Sequence, residues 1–392
     1  MPVNNSIAAR VEDIAAWRQH LHRHPELQYD LPQTSRFVAE KLRAFGCDEV
    51  VTGIGGTGVV AVVHGRGQKA EGGKDRVIGL RADMDALPVY EETGAAYASA
   101  TPGRMHACGH DGHTAMLLGA ARHLAETRAF AGSVVLIFQP AEEGGAGAKA
   151  MIDDGLFQRF SVDEVYSLHN LPGLPVGRFA VCEGAIMASA DRIEIEVHGR
   201  GAHAARPDQG VDVVLVGAAI VTALQQVVSR NVDPLESAVV SISVFHAGEV
   251  DNVLPPHARL IGTARTLAPA VRAKVKERVR AVAEGIGAAY GALVQVSFHE
   301  GYPVTRNHAA QAAFAAEVAR EVAGAEAVDP ATEPLMAAED FAFMLEEKPG
   351  AYLFLGNGPS AGLHHPAYDF SDAAIAYGSS FWVRLVERAL PL

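Results

Sequence analysis

Two periods of apolar residues alternate along the first part of the chain. Residues 10–27 (RVEDIAAWRQHLHRHPEL) and 34–46 (TSRFVAEKLRAFG) repeat apolar positions every three to four residues, which predicts amphipathic helices. GVVAVVHG, RVIGLRADMDAL, SVVLIFQPAEE and VDEVYSLHN are short runs rich in Val, Ile and Leu, as expected of strands buried on both faces. Helical stretches at 113–130 and 146–157 separate them. Strands alternating with helices predict βαβ units around a mostly parallel sheet.

From Ile186 to Phe298 the pattern changes. RIEIEVHG alternates strictly, as a half-buried strand does. A helical stretch at 211–229 follows, then strands at 236–248 and 257–267, a helix at 269–291 and a strand at 292–299. This β-α-β-β-α-β order predicts a small α+β sandwich of ordinary domain size. The α/β character then resumes in QAAFAAEVAREVAG, AYLFLGNG and DAAIAYGSSFWVRLVERAL. The expected organisation is a first domain in two pieces, 1–185 and 300–392, interrupted by an inserted domain, 186–299.

Composition narrows the function classes. Lys and Arg number 33 against 46 Asp and Glu, a net charge of −13, which argues against nucleic acid or an anionic membrane as partner. No apolar segment is expected to approach the length of a membrane span. The first residues lack an apolar signal core, so a cytoplasmic protein is expected. Cys47, Cys108 and Cys182 are few and scattered, which argues against a disulfide framework.

Candidate chemistry gathers at the ends of the buried strands. VIGLRADMD ends on Asp83 and Asp85, SVVLIFQP runs into Glu142-Glu143, and VDEVYSLHN ends on His169. Ligands of open parallel sheets bind beyond the carboxyl ends of the strands. MHACGHDGH (105–113) precedes a helix and joins the same rim; Leu363-His364-His365 follows the strand-like AYLFLGNG. Taken singly, each has an ordinary structural explanation, but carboxylates, imidazoles and a thiol on one sheet edge do not. In an extended segment Glu142 and Glu143 point opposite ways. One then binds a metal while the other takes a proton from a metal-acidified water. Cys108 and His110 suit zinc, cobalt, nickel or manganese better than magnesium or calcium. A Cys-His nucleophile leaves Glu142, Glu143, His169 and His364 unexplained. A second haem-linking cysteine is absent from the sequence.

From about Trp17 onward the chain resembles the dinuclear-metal amidohydrolases that include hippurate hydrolases, N-acyl-L-amino-acid amidohydrolases and auxin-conjugate hydrolases. RHPEL, LRADMDALP, MHACGHDGHTAMLLGAA, FQPAEEGGAGAKAMI, LHN, GRGAHAARPDQGVD, NVLP, AEDFAF and LHHPAYDF appear in order. The resemblance implies a metallo-exopeptidase-like α/β catalytic domain with an inserted lid and dimerisation domain. It implies two divalent ions (Mn, Zn, Ni or Co) held by Cys108 as the bridge and by His110, Glu143, His169 and His364. His364 fits the ligand position better than His365. Glu142 is implied as general base, and His203 as a group that reaches the partner subunit's site in a homodimer (or a tetramer) and polarises the scissile carbonyl. Asn252 and Arg265 resemble groups that hold the substrate carboxylate. Asp83, Asp85 and Asp111 are expected to orient the histidines, while His106 and His113 have no assigned role. Arg104 departs from the small residue of many relatives, at the expected rim of the site. The implied reaction cleaves N-acyl amino acids, hippurate-like or N-acetyl, to a carboxylic acid and a free amino acid. Alternatives on the same scaffold are a dipeptidase or carboxypeptidase, a deacylase of N-acetyl- or N-succinyl-diaminopimelate, or a non-catalytic metal-binding relative.

Overall fold

The computed structural model describes residues 3–67 and 76–392. They form two compact units. The first comprises Met1–Gly184, Arg306–Glu333 and Asp340–Leu392; the second comprises Ala185–Thr305 and Pro334–Glu339.

The first unit is built on an eight-stranded sheet. Its leading strands are β1 (Glu49–Ile54), β2 (Gly58–His64), β3 (Val77–Asp83), β4 (Ser133–Gln139) and β5 (Glu164–Pro172). The spatial order is β1, β2, β4, β3, β5, then Gly350–Gly358, Phe179–Ala180 and Val328–Asp329. β4, β3, β5 and Gly350–Gly358 run parallel, while β1 and β2 are antiparallel additions at one edge. Every residue of β3 and β4 is buried, which is why both are rich in Val, Ile and Leu, with Arg81 and Asp83 as the buried charged exceptions in β3. Helices Pro32–Phe45, His110–Thr127, Ala309–Ala323 and Ile375–Ala389 share one hydrophobic core with the strands. A fully buried side chain such as Leu117 contributes about 2 kcal/mol there. Parallel register sets Asp83 opposite Gln139 and His169 opposite Phe354, so several strands end at one rim.

Helix His110–Thr127 starts three residues before the expected position, so the second half of MHACGHDGH is its first turn. Gly109 sets the boundary. Its φ is +89°, and a Cβ there would lie 2.3 Å from Asn170 Nδ2 and 2.4 Å from the Tyr368 hydroxyl.

In the second unit Asp191–His198, Ala238–Ala247, His257–Thr266 and Leu293–Glu300 form an antiparallel sheet, with helices Val213–Gln226 and Pro269–Tyr290 sharing its core. The β-α-β-β-α-β order is as expected. The unit reaches further than 186–299, because Ala188 N–H donates to the carbonyls of Leu335 and Ala337, which ties 334–339 to the segment leading into Asp191–His198. One expectation is corrected outright. Val213–Asn231 is a continuous helical stretch of 19 residues with mean hydropathy 1.6, long and apolar enough to span a membrane by length and composition. Val213, Val216, Ile220, Leu224 and Val227 account for part of that hydropathy, since they are buried in the unit's own core.

Candidate metal centre

Three loops and one helix start bring the site together. β3 ends on Asp83, whose Oδ2 accepts from Arg81 at 2.7 Å and whose Oδ1 meets His113 Nδ1 at 2.7 Å. His113 Nε2 accepts from the Asn170 amide at 3.0 Å. Asn170 Nδ2 donates to the Cys108 carbonyl at 2.6 Å, and Tyr368 donates to Asn170 Oδ1 at 2.7 Å. His113, without an assigned role in the sequence, therefore ties the end of β3 to the end of β5 across the cysteine loop.

Asp85 governs the Glu142-Glu143 turn. Its Oδ1 accepts from the Glu142 amide at 3.0 Å and its Oδ2 from the Glu143 amide at 3.1 Å. The segment is not extended as expected. Ala141 sits at φ +53° and Gly144 at +78°, a kinked turn held by one carboxylate. The left-handed Ala141 costs on the order of 1 kcal/mol, which the two charge-assisted bonds to Asp85 offset. The carbonyl of Asp85 also accepts from His110 Nδ1 at 2.8 Å, which turns His110 Nε2 inward.

The inward atoms converge. Cys108 Sγ lies 3.5 Å from His169 Nε2. Glu143 Oε1 lies 3.2 Å from His364 Nε2 and 4.0 Å from His110 Nε2. Cys108, His110 and His169 form one group of metal-ligating atoms within 4.8 Å of one another; Cys108, Glu143 and His364 form a second, and His110, Glu142 and Glu143 a third. His364 is in the cluster, with φ +66°, whereas His365 accepts from the Ala367 amide in its own turn. His110 Nε2 and Glu143 Oε1 are buried without a hydrogen bond, the state of atoms that a cation would satisfy. The donor set of thiol, imidazoles and carboxylate fits a divalent transition metal.

Electrostatics agree. Burial opposes a charge on His110, yet Asp83, Asp85 and Glu143 outweigh it and hold the imidazole up at about 10. Burial also opposes the Glu143 charge, but His364 and His110 hold its carboxyl below the usual range. Burial, then Glu143 and Glu142, push the Cys108 thiol well up, while burial and His113 push His169 well down. A thiol so reluctant to ionise, beside an imidazole so reluctant to accept a proton, is a poor nucleophilic pair. A dication reverses that balance for a ligating thiol.

Asp111 behaves differently from the expectation that it orients the clustered histidines. It meets His22 Nδ1 at 2.9 Å, and Arg18 lies 3.6 Å away. His22 Nε2 in turn meets Glu91 at 3.2 Å. His22 escaped notice in the sequence, although Ile14, Arg18 and His22 recur every four residues on one helix face, where two polar groups interrupt an apolar stripe.

In the second unit, His203 is exposed and pairs with Val253 in a two-stranded ribbon. The Asn252 carbonyl accepts from the Ala204 amide at 3.0 Å, so His203 and Asn252 share one ribbon. Arg265 is half-buried on His257–Thr266, and burial lowers its pKa.

Comparison with known proteins decides the family, since the profile of peptidase family M20/M25/M40 matches residues 79–388. The chain belongs to peptidase family M20. An M20 relative, the hippurate hydrolase of Campylobacter jejuni, is 43% identical over 373 residues, 95% of each chain. The N-acetyl-L-cysteine deacetylase of Bacillus subtilis is 41% identical, covering 99% of this chain and 90% of its own. The crystal structure of the Bacillus subtilis YXEP protein, a dinuclear metal binding M20 peptidase, superposes with a TM-score of 0.85 at 34% identity, over 98% of this chain and 99% of that one. This M20 chain is a metal-dependent amidohydrolase.

Proposed function

We propose that this M20 enzyme hydrolyses the amide bond of N-acyl L-amino acids, hippurate-like or N-acetyl, to a carboxylic acid and a free amino acid. The observation that carries the reading is the turn on Asp85, which presents two adjacent carboxylates, Glu142 and Glu143, to one cluster of metal-ligating atoms. Cys108, His110, Glu143, His169 and His364 would hold two divalent ions, of manganese, zinc, nickel or cobalt. Such ions supply Lewis acidity and an acidified water. Glu142, buried beside Glu143, takes the proton of the attacking water and returns it to the departing nitrogen. Asn252 and Arg265 hold the free carboxylate of the substrate, Arg265 through its planar fork, and this makes the enzyme exo-acting. The chain works as a homodimer in which His203 of the partner subunit polarises the scissile carbonyl. Three free cysteines accord with a cytoplasmic setting.

Hippurate, N-acetyl amino acids, dipeptides and acylated diaminopimelates, offered to the metal-loaded enzyme, test the reading. Preferred turnover of the first two supports it, and preferred turnover of dipeptides replaces it with a peptidase. Glu142→Gln should keep the metal content and lower kcat by at least about a thousandfold, within the range for general acid–base groups. Retained turnover removes Glu142 as the base.

A further inference from the structure

The second unit carries a group of histidines that the reaction does not use. Strands Asp191–His198 and His257–Thr266 are antiparallel neighbours, and their register sets His198 directly opposite His257. The alternating residues Ile195, Val197, Ala258 and Leu260 lie in the unit's core, so both imidazoles stand on the face turned away from the helices. Their Nδ1 atoms are 3.0 Å apart, with the rings at 79°. On the next strand His246 pairs with Arg259, two residues on from His257 and therefore on the same face. His246, His257, His198 and Glu196 line one depression.

The spacing is that of two ligands on one ion. Nitrogens about 2.05 Å from a shared metal stand about 2.9 Å apart at a right angle and about 3.3 Å apart at a tetrahedral angle. The second shell of such a ligand is present too. Glu196 Oε2 lies 3.5 Å from Nε2 of His198, on the far side of the ring. A carboxylate there favours the tautomer with its proton on Nε2 and the lone pair on Nδ1, the arrangement of ligating histidines. Without an ion, the facing Nδ1 atoms share a single proton. With an ion, that proton leaves to solvent or moves to His257 Nε2, and both lone pairs bind. A simple hydrogen-bonded pair would not need Glu196 behind the His198 ring.

We propose that His198 and His257 form a two-imidazole site for one divalent transition-metal ion of the zinc, nickel or copper class. Glu196 is a positioning residue for His198. The ion ties together two neighbouring strands of the inserted sheet. Imidazole donors exclude magnesium and calcium as the preferred occupants.

The test uses the untagged full-length chain, stripped with chelator and titrated with copper(II) and, separately, zinc(II), with bound metal measured after dialysis. The wild type should hold one more ion per chain than the double variant His198→Gln/His257→Gln. Its copper(II) resonance should contain a component coupled to two nitrogens that the double variant lacks. Glu196→Gln should weaken this ion by about 10–100-fold, and hydrolytic turnover should stay unchanged in all of these variants. Equal stoichiometry and equal affinities in wild type and double variant would overturn the proposal. So would a nitrogen-coupled signal that survives in the double variant but disappears with Cys108→Ala.

Discussion

His110 Nε2 and Glu143 Oε1 are buried and lack hydrogen bonds, and such atoms cost free energy until an ion of the right sign meets them. Cys108 shares that small volume, its thiol held protonated by burial and then by Glu143 and Glu142. Replacing it with Ala should therefore lower metal content, read by elemental analysis; two ions per chain in Cys108→Ala would remove it as a bridge. At this scale the sequence was a good guide to the cluster and a poor one to its supports. Residue types near the strand ends pointed to the rim, and the family resemblance singled out Cys108, His110, Glu143, His169 and His364 within it. Asp111 looked equivalent to Asp83, because nothing local in HDGH shows that helical geometry turns its carboxylate toward His22, 89 residues away.

Helix Val11–Arg23 and helix His110–Thr127 are joined by that His22–Asp111 contact, and the joint depends on pH. Burial disfavours a charged His22, but Asp111 and Glu91 prevail and raise it from 6.5 to about 9. A folded value above the unfolded one means this stabilisation is complete below about pH 6.5 and fades as pH rises through 9. The thermal midpoint should accordingly fall between pH 7 and 9.5, and His22→Gln should flatten that fall; an unchanged slope would count against the joint. Asp85→Ala tests the Glu142-Glu143 turn. Losing its bonds to the two amides should cost about 3 kcal/mol and reduce both metal content and kcat, measured by calorimetry, elemental analysis and turnover. Apolar periodicity could not have revealed this turn, because the residue that bends it lies 57 positions earlier. It found the strands and helices readily, since their burial is written in every second or fourth residue.

The two units were legible from the change of period at Ile186, whereas the return of 334–339 to the second unit was not, because a short irregular segment carries no period. For the whole enzyme, mixing His203→Ala with Glu142→Gln subunits should restore part of the activity, because one of the two hybrid sites is intact. No recovery in verified heterodimers would refute the shared site. The strand Gly350–Gly358 has a further consequence, which concerns time. It lies between β5 and Phe179–Ala180, and His364 comes just after it. On the ribosome, four of the five proposed metal ligands have been made by His169, and the fifth follows 195 residues later. At roughly 5–20 residues per second that delay lasts about 10–40 s. Until Gly350–Gly358 is made, β5 has one unpaired edge, open to strands of neighbouring nascent chains. On that proposed ligand set the centre is completed late in synthesis, and an interruption between β5 and Gly350 leaves a chain with four of the five proposed ligands and an open sheet.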